Sequence, residues 1–125
     1  DGIVSAAMGF ALGRATDGPT TLLIGDMALL HDLNALHVLS NDLTMASNDA
    51  VPPLTIVAIN NGGGAIFSFL PVASHGTSVD FDRLFTASHE RGLAKVAGAL
   101  GLTHETVNTK QAFTRAFEAA QARQG

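Results

Sequence analysis

Apolar positions along the 125-residue chain change their spacing several times, and each change marks an element. Residues 3–16 (IVSAAMGFALGRAT) have a helical pattern in which Ser5, Gly9 and Gly13 recur every four positions. That spacing sets one stripe of small side chains along a helix face. Glycine inside a helix costs about 1 kcal/mol against alanine, so the stripe predicts a close backbone approach, to the domain's own sheet or to another subunit. Residues 17–19 are a turn, and 20–24 (TTLLI) are a short apolar run of the kind buried in a parallel sheet. Residues 28–40 place apolar side chains at 29, 30, 33, 36 and 39 and predict a second helix. The stretch 41–53 is polar, ends in two prolines and is expected to be a loop. Residues 54–59 (LTIVAI) are the second buried strand, stopped by NNGGG at 60–64.

Beyond it, 65–70 is apolar and 71–80 irregular, and 88–100 is an amphipathic helix closed by Gly101 as a C-cap. Residues 102–107 predict a third strand. Residues 110–123 predict a last helix with Ala112, Phe113, Ala116, Phe117 and Ala120 on one side. Alternating helices and strands imply an α/β fold, a three-layer parallel sheet with helices on both faces. No repeat or second domain is visible, so residues 1–125 form one unit.

Composition narrows the function. The chain is 46% apolar with only 14% charged residues, against about 25% charged in a typical soluble domain. Disorder is excluded, and part of the surface is expected to dock against something else. Seven basic and eleven acidic residues leave a net charge of −4, which argues against nucleic acid or an anionic membrane as partner. No apolar run reaches the length of a membrane span. With no cysteine, thiolate catalysis and cysteine-ligated zinc are out. The opening at Asp1, without initiator methionine or signal-like core, leads to the expectation of a fragment of a longer multidomain chain.

Open parallel sheets bind ligands beyond the carboxyl ends of their strands. The first strand runs into Gly25-Asp26 and the second into Asn60-Asn61-Gly62-Gly63-Gly64. If the strands are close in the sheet, a carboxylate and two carboxamides meet at one edge. Carboxylate, amide and carbonyl oxygens are hard ligands suited to Mg²⁺ or Ca²⁺. Mg²⁺ usually keeps one or two carboxylates and takes its other ligands from water and phosphate. Glycines allow close backbone approach to a ligand, and the amides opening the helix after Asp26 offer an anion site. A metal-bridged diphosphate follows as the candidate ligand.

Gly-Asp, a helix, a strand and Asn-Asn together resemble the diphosphate-anchoring motif of thiamine-diphosphate enzymes. Asp1-Gly2-Ile3-Val4-Ser5, Gly25-Asp26-Met27 with His31-Asp32-Leu33-Asn34, and NNGGGAIFSFLP at 60–71 are similar to the 2-succinyl-5-enolpyruvyl-6-hydroxy-3-cyclohexene-1-carboxylate synthase (MenD) family. The resemblance implies a thiamine-diphosphate-binding fold with thiamine diphosphate and Mg²⁺ (or Mn²⁺) as cofactors. It implies side-chain ligation of the metal by Asp26 and Asn61 and carbonyl ligation by Gly63. Gly25, Asp26, Met27 and Ala28, and then Asn61, Gly63, Gly64, Ala65 and Ile66, would contact the cofactor, and Ile66, Phe67 and Leu70 would wall the substrate pocket. The implied reaction decarboxylates 2-oxoglutarate and adds the succinyl semialdehyde unit to isochorismate, in menaquinone or phylloquinone biosynthesis. A homodimer or homotetramer in a bacterial cytoplasm or a plastid is implied too.

Ala28 departs from the small hydroxyl residue common two positions after the family's Asp, leaving the backbone amides as donors. The 34-residue interval from Asp26 to Asn60 is longer than usual, and the excess falls in the 41–53 loop, where length costs little. No catalytic residue of the family lies in the chain. The resemblance implies that the activating glutamate belongs to another domain and that the substrate-binding arginines lie upstream of Asp1, and Arg14, Arg83 and Arg91 are expected at the surface. The chain alone is expected to be inactive. Alternatives are another thiamine-diphosphate enzyme, such as an acetohydroxyacid synthase-like protein, or a truncated, non-catalytic binding module. A dinucleotide site lacks its G-x-G-x-x-G. The five histidines share no element at ligand spacing and are expected to be structural or superficial.

Overall fold

The computed structural model describes residues 2–14, 18–39 and 54–123. Helix α1 (Ile3–Gly13) leads to strand β1 (Thr20–Gly25), which passes without a loop into helix α2 (Asp26–His31) and a 3-10 segment, Leu33–Leu39. Strand β2 (Leu54–Ile59) follows, then 3-10 turns at Ala65–Phe69 and Pro71–His75 and a π-type turn at Asp82–Thr86. Helices α3 (Leu93–Ala99) and α4 (Lys110–Ala122) complete the order. The 41–53 loop lies outside the described residues. Among these residues no helix is long and apolar enough to cross a membrane.

The two strands are parallel neighbours, with Thr20 opposite Leu54 and Gly25 opposite Ile59. Because side chains alternate along a strand, Leu22, Ile24 and Ile56 face one way. They meet Val4 of α1, Leu29 of α2 and Leu36, with Leu93, Val96 and Leu100 packed around them. Val4 is fully buried, which contributes about 1.5–3 kcal/mol. The opposite face carries the paired Thr21 and Thr55. Gln121 near the end of α4 donates to both hydroxyls, at 3.2 and 3.3 Å.

Several expectations are corrected. Only two strands are present among the described residues, so a three-layer sheet is not seen. Residues 102–107 form no strand. Leu102 instead closes α3: its N–H bonds the Ala97 carbonyl while Gly101, at φ +69°, donates to Gly98. This is the paired 6→1 and 5→2 pattern expected after a helix, and it confirms Gly101 as the cap. The strands are not buried on both faces, since Leu23 is 68% exposed. Ser5, Gly9 and Gly13 are exposed and a Cβ at either glycine would meet nothing, so the stripe does not approach the domain's own sheet. The apolar stripe of Val4, Met8 and Ala11 takes the buried face instead.

The helix expected over 28–40 is broken at Asp32, where bonding changes to the 3-10 pattern: Asp32 N–H to Leu29 and Ala35 N–H to Asp32. The break frees the Asp32 side chain to cap α1 from outside. Its carboxylate accepts the N–H of Gly2 at 2.7 Å and of Val4 at 3.0 Å, donors that the helix start leaves without partners. Those backbone donors, Val4 first and Gly2 next, hold the Asp32 carboxyl below its ordinary value. A lowered carboxyl stabilises the fold above the unfolded value near 4 and loses that contribution as pH falls through the lower folded value. The expected outcome is that Asp32→Asn lowers the urea midpoint at pH 7, with the gap to wild type narrowing as pH falls below about 4. A gap independent of pH would remove the charge from the explanation.

Candidate metal and diphosphate site

The parallel register brings the carboxyl ends of both strands to one edge, Gly25 beside Ile59. Asp26 follows the first and the 60–64 turn follows the second. Asp26 is 3% exposed. Its Oδ2 accepts the N–H of Gly62 at 2.9 Å and of Gly63 at 3.0 Å, and Oδ1 accepts the N–H of Met27 at 2.8 Å. The carboxylate therefore clasps the turn across the sheet edge.

Asn60 and Asn61 divide the work. Asn60 accepts the Gly62 N–H at 3.1 Å and shapes the turn. Asn61 is exposed, and its amide makes no hydrogen bond among the described residues. Gly62 and Gly63 sit at φ +80° and +142°, where side chains are strained.

The glycines approach the protein's own backbone. Residues 85–89 lie across the turn as a strap: Gly64 N–H donates to Thr86 at 2.6 Å and His89 N–H to Gly62 at 3.0 Å. A Cβ at Gly63 would stand 2.5 Å from the Thr86 carbonyl, and one at Gly64 2.7 Å from that of Phe85. The strap also places the His89 ring, 8% exposed, with Nε2 at 3.2 Å from Asp26 Oδ2.

Ile66 and Leu70 follow the turn as exposed side chains, and Phe67 meets Phe85 edge to face, with ring centroids 6.2 Å apart. Ala65 opens that 3-10 segment, half-buried. Ala28, in the first turn of α2, is half-buried, and its N–H has no acceptor within the helix. Arg14, Arg83 and Arg91 are at the surface.

The family model for the thiamine pyrophosphate enzyme C-terminal TPP-binding domain matches residues 3–125. The chain belongs to that family. A protein of Prosthecochloris aestuarii is 41% identical over 98% of this chain, and one of Rubrobacter xylanophilus 41% over all of this chain. One of Sorangium cellulosum is 39% identical over the full length. All three are named 2-succinyl-5-enolpyruvyl-6-hydroxy-3-cyclohexene-1-carboxylate synthase, and the chain spans 19% of the length of each.

The edge of this TPP-binding domain suits a hard divalent cation. An ionised carboxylate has about four acceptor positions, and backbone N–H groups occupy three of those on Asp26. One remains, at the edge where the exposed Asn61 leads into the glycine turn. Among the described residues no three His, Cys, Asp or Glu side chains cluster; a cation at this edge would meet one carboxylate and neutral oxygens, the kind of donor set that Mg²⁺ completes with phosphate and water.

His89 and the strap were not legible as parts of the site, because the strap is a contact between backbones distant in sequence. The run of three glycines was the available signal. Gly63→Ala is expected to cost about 1–3 kcal/mol through strain and displacement of the strap, measured by urea unfolding. Gly25→Ala, where a Cβ meets nothing, should stay within about 0.5 kcal/mol of wild type. Equal effects would contradict the packing of strap on turn.

Proposed function

We propose that this chain is the diphosphate- and Mg²⁺-holding domain of a synthase that decarboxylates 2-oxoglutarate and adds the succinyl semialdehyde unit to isochorismate. Its place is in menaquinone biosynthesis, or phylloquinone biosynthesis in a photosynthetic eukaryote. The observation that carries the reading is the clasp of Asp26 on the Gly62–Gly63 amides, which puts a carboxylate and the Asn61 amide at one edge. The similarity to three synthases along nearly the whole chain supports the substrate pair.

Asp26 and Asn61 hold the cation through side-chain oxygens, and Gly63 through its carbonyl. Gly25 and the amides of α2 receive the diphosphate. The Met27 N–H is already engaged by Asp26, whereas the Ala28 N–H has no acceptor within the helix and is a donor for the diphosphate. Gly64, Ala65 and Ile66 line the cofactor, and Ile66, Phe67 and Leu70 keep water from the reacting atoms. Thiamine diphosphate supplies the decarboxylation and carbon–carbon bond chemistry when bound.

The domain works within a longer polypeptide that contributes the activating glutamate and substrate arginines. In the complete polypeptide the sheet gains strands and becomes three-layered. The 68% exposure of Leu23, the 89% exposure of Phe69 and the low charge support burial against other domains or a second copy, in a homodimer or homotetramer. The compartment is a bacterial cytoplasm, or a plastid in a photosynthetic eukaryote.

Calorimetry of thiamine diphosphate with Mg²⁺ on the intact gene product tests the assignment. Asp26→Ala is expected to weaken binding at least tenfold, about 1.4 kcal/mol. Unchanged affinity would overturn the metal assignment.

A further inference from the structure

Asn61-Gly62 is the only asparagine–glycine pair in the sequence. In such a pair the glycine nitrogen can attack the asparagine Cγ, because the following residue has no side chain to stand in the way. The new N–C bond closes a five-membered succinimide, and the side-chain nitrogen leaves as ammonia. Water then opens the ring at either carbonyl, so that asparagine and water become ammonia and aspartate or isoaspartate. Asn61 is exposed and its amide makes no hydrogen bond among the described residues, so no such bond restrains the electrophile.

The nucleophile is held. Attack requires the Gly62 nitrogen to lose its proton and turn toward Cγ. Its N–H donates to Asp26 Oδ2 at 2.9 Å and to Asn60 Oδ1 at 3.1 Å. Removing the proton would set a second negative charge against the Asp26 carboxylate, and like charges this close oppose each other. Both ends of the glycine are tied: its carbonyl accepts the His89 N–H at 3.0 Å, and the next amide, Gly63 N–H, donates to the same Oδ2 at 3.0 Å. Turning the nitrogen toward Cγ breaks its bond to the carboxylate, and hydrogen bonds to a charged group are among the stronger ones in a fold. Asp26 is 3% exposed, so little water competes for that grip.

We propose that Asn61 is a deamidation site held in check by the Asp26 clasp. The carboxylate keeps the Gly62 nitrogen protonated and turned from Cγ, and Asn61 converts to aspartate or isoaspartate when the clasp opens. The clasp does this whether or not a cation binds at the edge. Conversion adds a negative charge, and with isoaspartate a methylene in the backbone, to a turn packed against residues 85–89.

The test incubates the intact gene product at neutral pH, with no metal or cofactor added, and follows conversion at position 61 by peptide mass spectrometry. A free peptide with the sequence of residues 59–64 is the reference. Wild type is expected to deamidate about tenfold or more slower than the peptide, and Asp26→Ala about tenfold or more faster than wild type, the scale of one lost bond to a charged group. Circular dichroism checks that the variant is folded. Should it not fold, Asp26→Asn keeps the shape and an acceptor oxygen without the charge, and is expected to deamidate about threefold or more faster than wild type. Hydrogen exchange at the Gly62 amide reads the clasp without any substitution, and protection is expected. Wild type as fast as the peptide, a Gly62 amide that exchanges as in the peptide, or a folded Asp26 variant no faster than wild type would overturn the protective role.

Discussion

The Asp26 carboxylate joins two pieces of chain 36 residues apart in sequence. Hydrogen bonds to a charged group contribute about 1.5–3 kcal/mol each, and Asp26 accepts one from Gly62, one from Gly63 and one from Met27. Without them the 60–64 turn would lose its tie to the start of α2, and the Asn61 amide would have no fixed relation to a carboxylate. The parallel register supplies the rest of the constraint, since Gly25 and Ile59 are partners and neither end can drift along the other.

A second carboxylate works by the same means with a different result. Asp32, six residues on, accepts two backbone N–H groups from the start of α1 and ties that helix to the end of α2. Both acids are buried and both bond across the chain to backbone donors. Asp32 ties α1 to α2 and serves the fold, whereas Asp26 stands at the edge where an open parallel sheet receives ligands. The strap at 85–89 then seals the turn from behind, which makes the three glycines a packing requirement of the protein itself. The stacked Phe81 and Phe85, with centroids 5.4 Å apart, anchor the strap's approach.

Much of this was legible in the residues. The strands at 20–25 and 54–59 announced themselves through short β-rich runs, and Gly-Asp and Asn-Asn-Gly at their ends marked the edge. The C-cap at Gly101 followed from a glycine placed after an amphipathic helix. Failures came where a long-range contact outweighed local pattern. Asp32 breaks the 28–40 helix because its side chain is needed at α1, thirty residues away. Leu102 left a strand-like run to close α3. Of the two approaches that the small-residue stripe of α1 allows, the one to the domain's own sheet is lost because Val4, Met8 and Ala11 compete better for the core. His89 reads as structural or superficial, and its place beside Asp26 is not legible because nothing near it in sequence points there.

The proposal that Asp26 and Asn61 share one cation is most directly tested by a crystal structure of the intact gene product with thiamine diphosphate and Mn²⁺, its metal located by anomalous scattering. The expected result is a single peak about 2.1 Å from Asp26 Oδ1 and from the Asn61 side-chain oxygen, the distance of a hard octahedral ion. A peak bound elsewhere, or one touching Asp26 with Asn61 turned away, would contradict it.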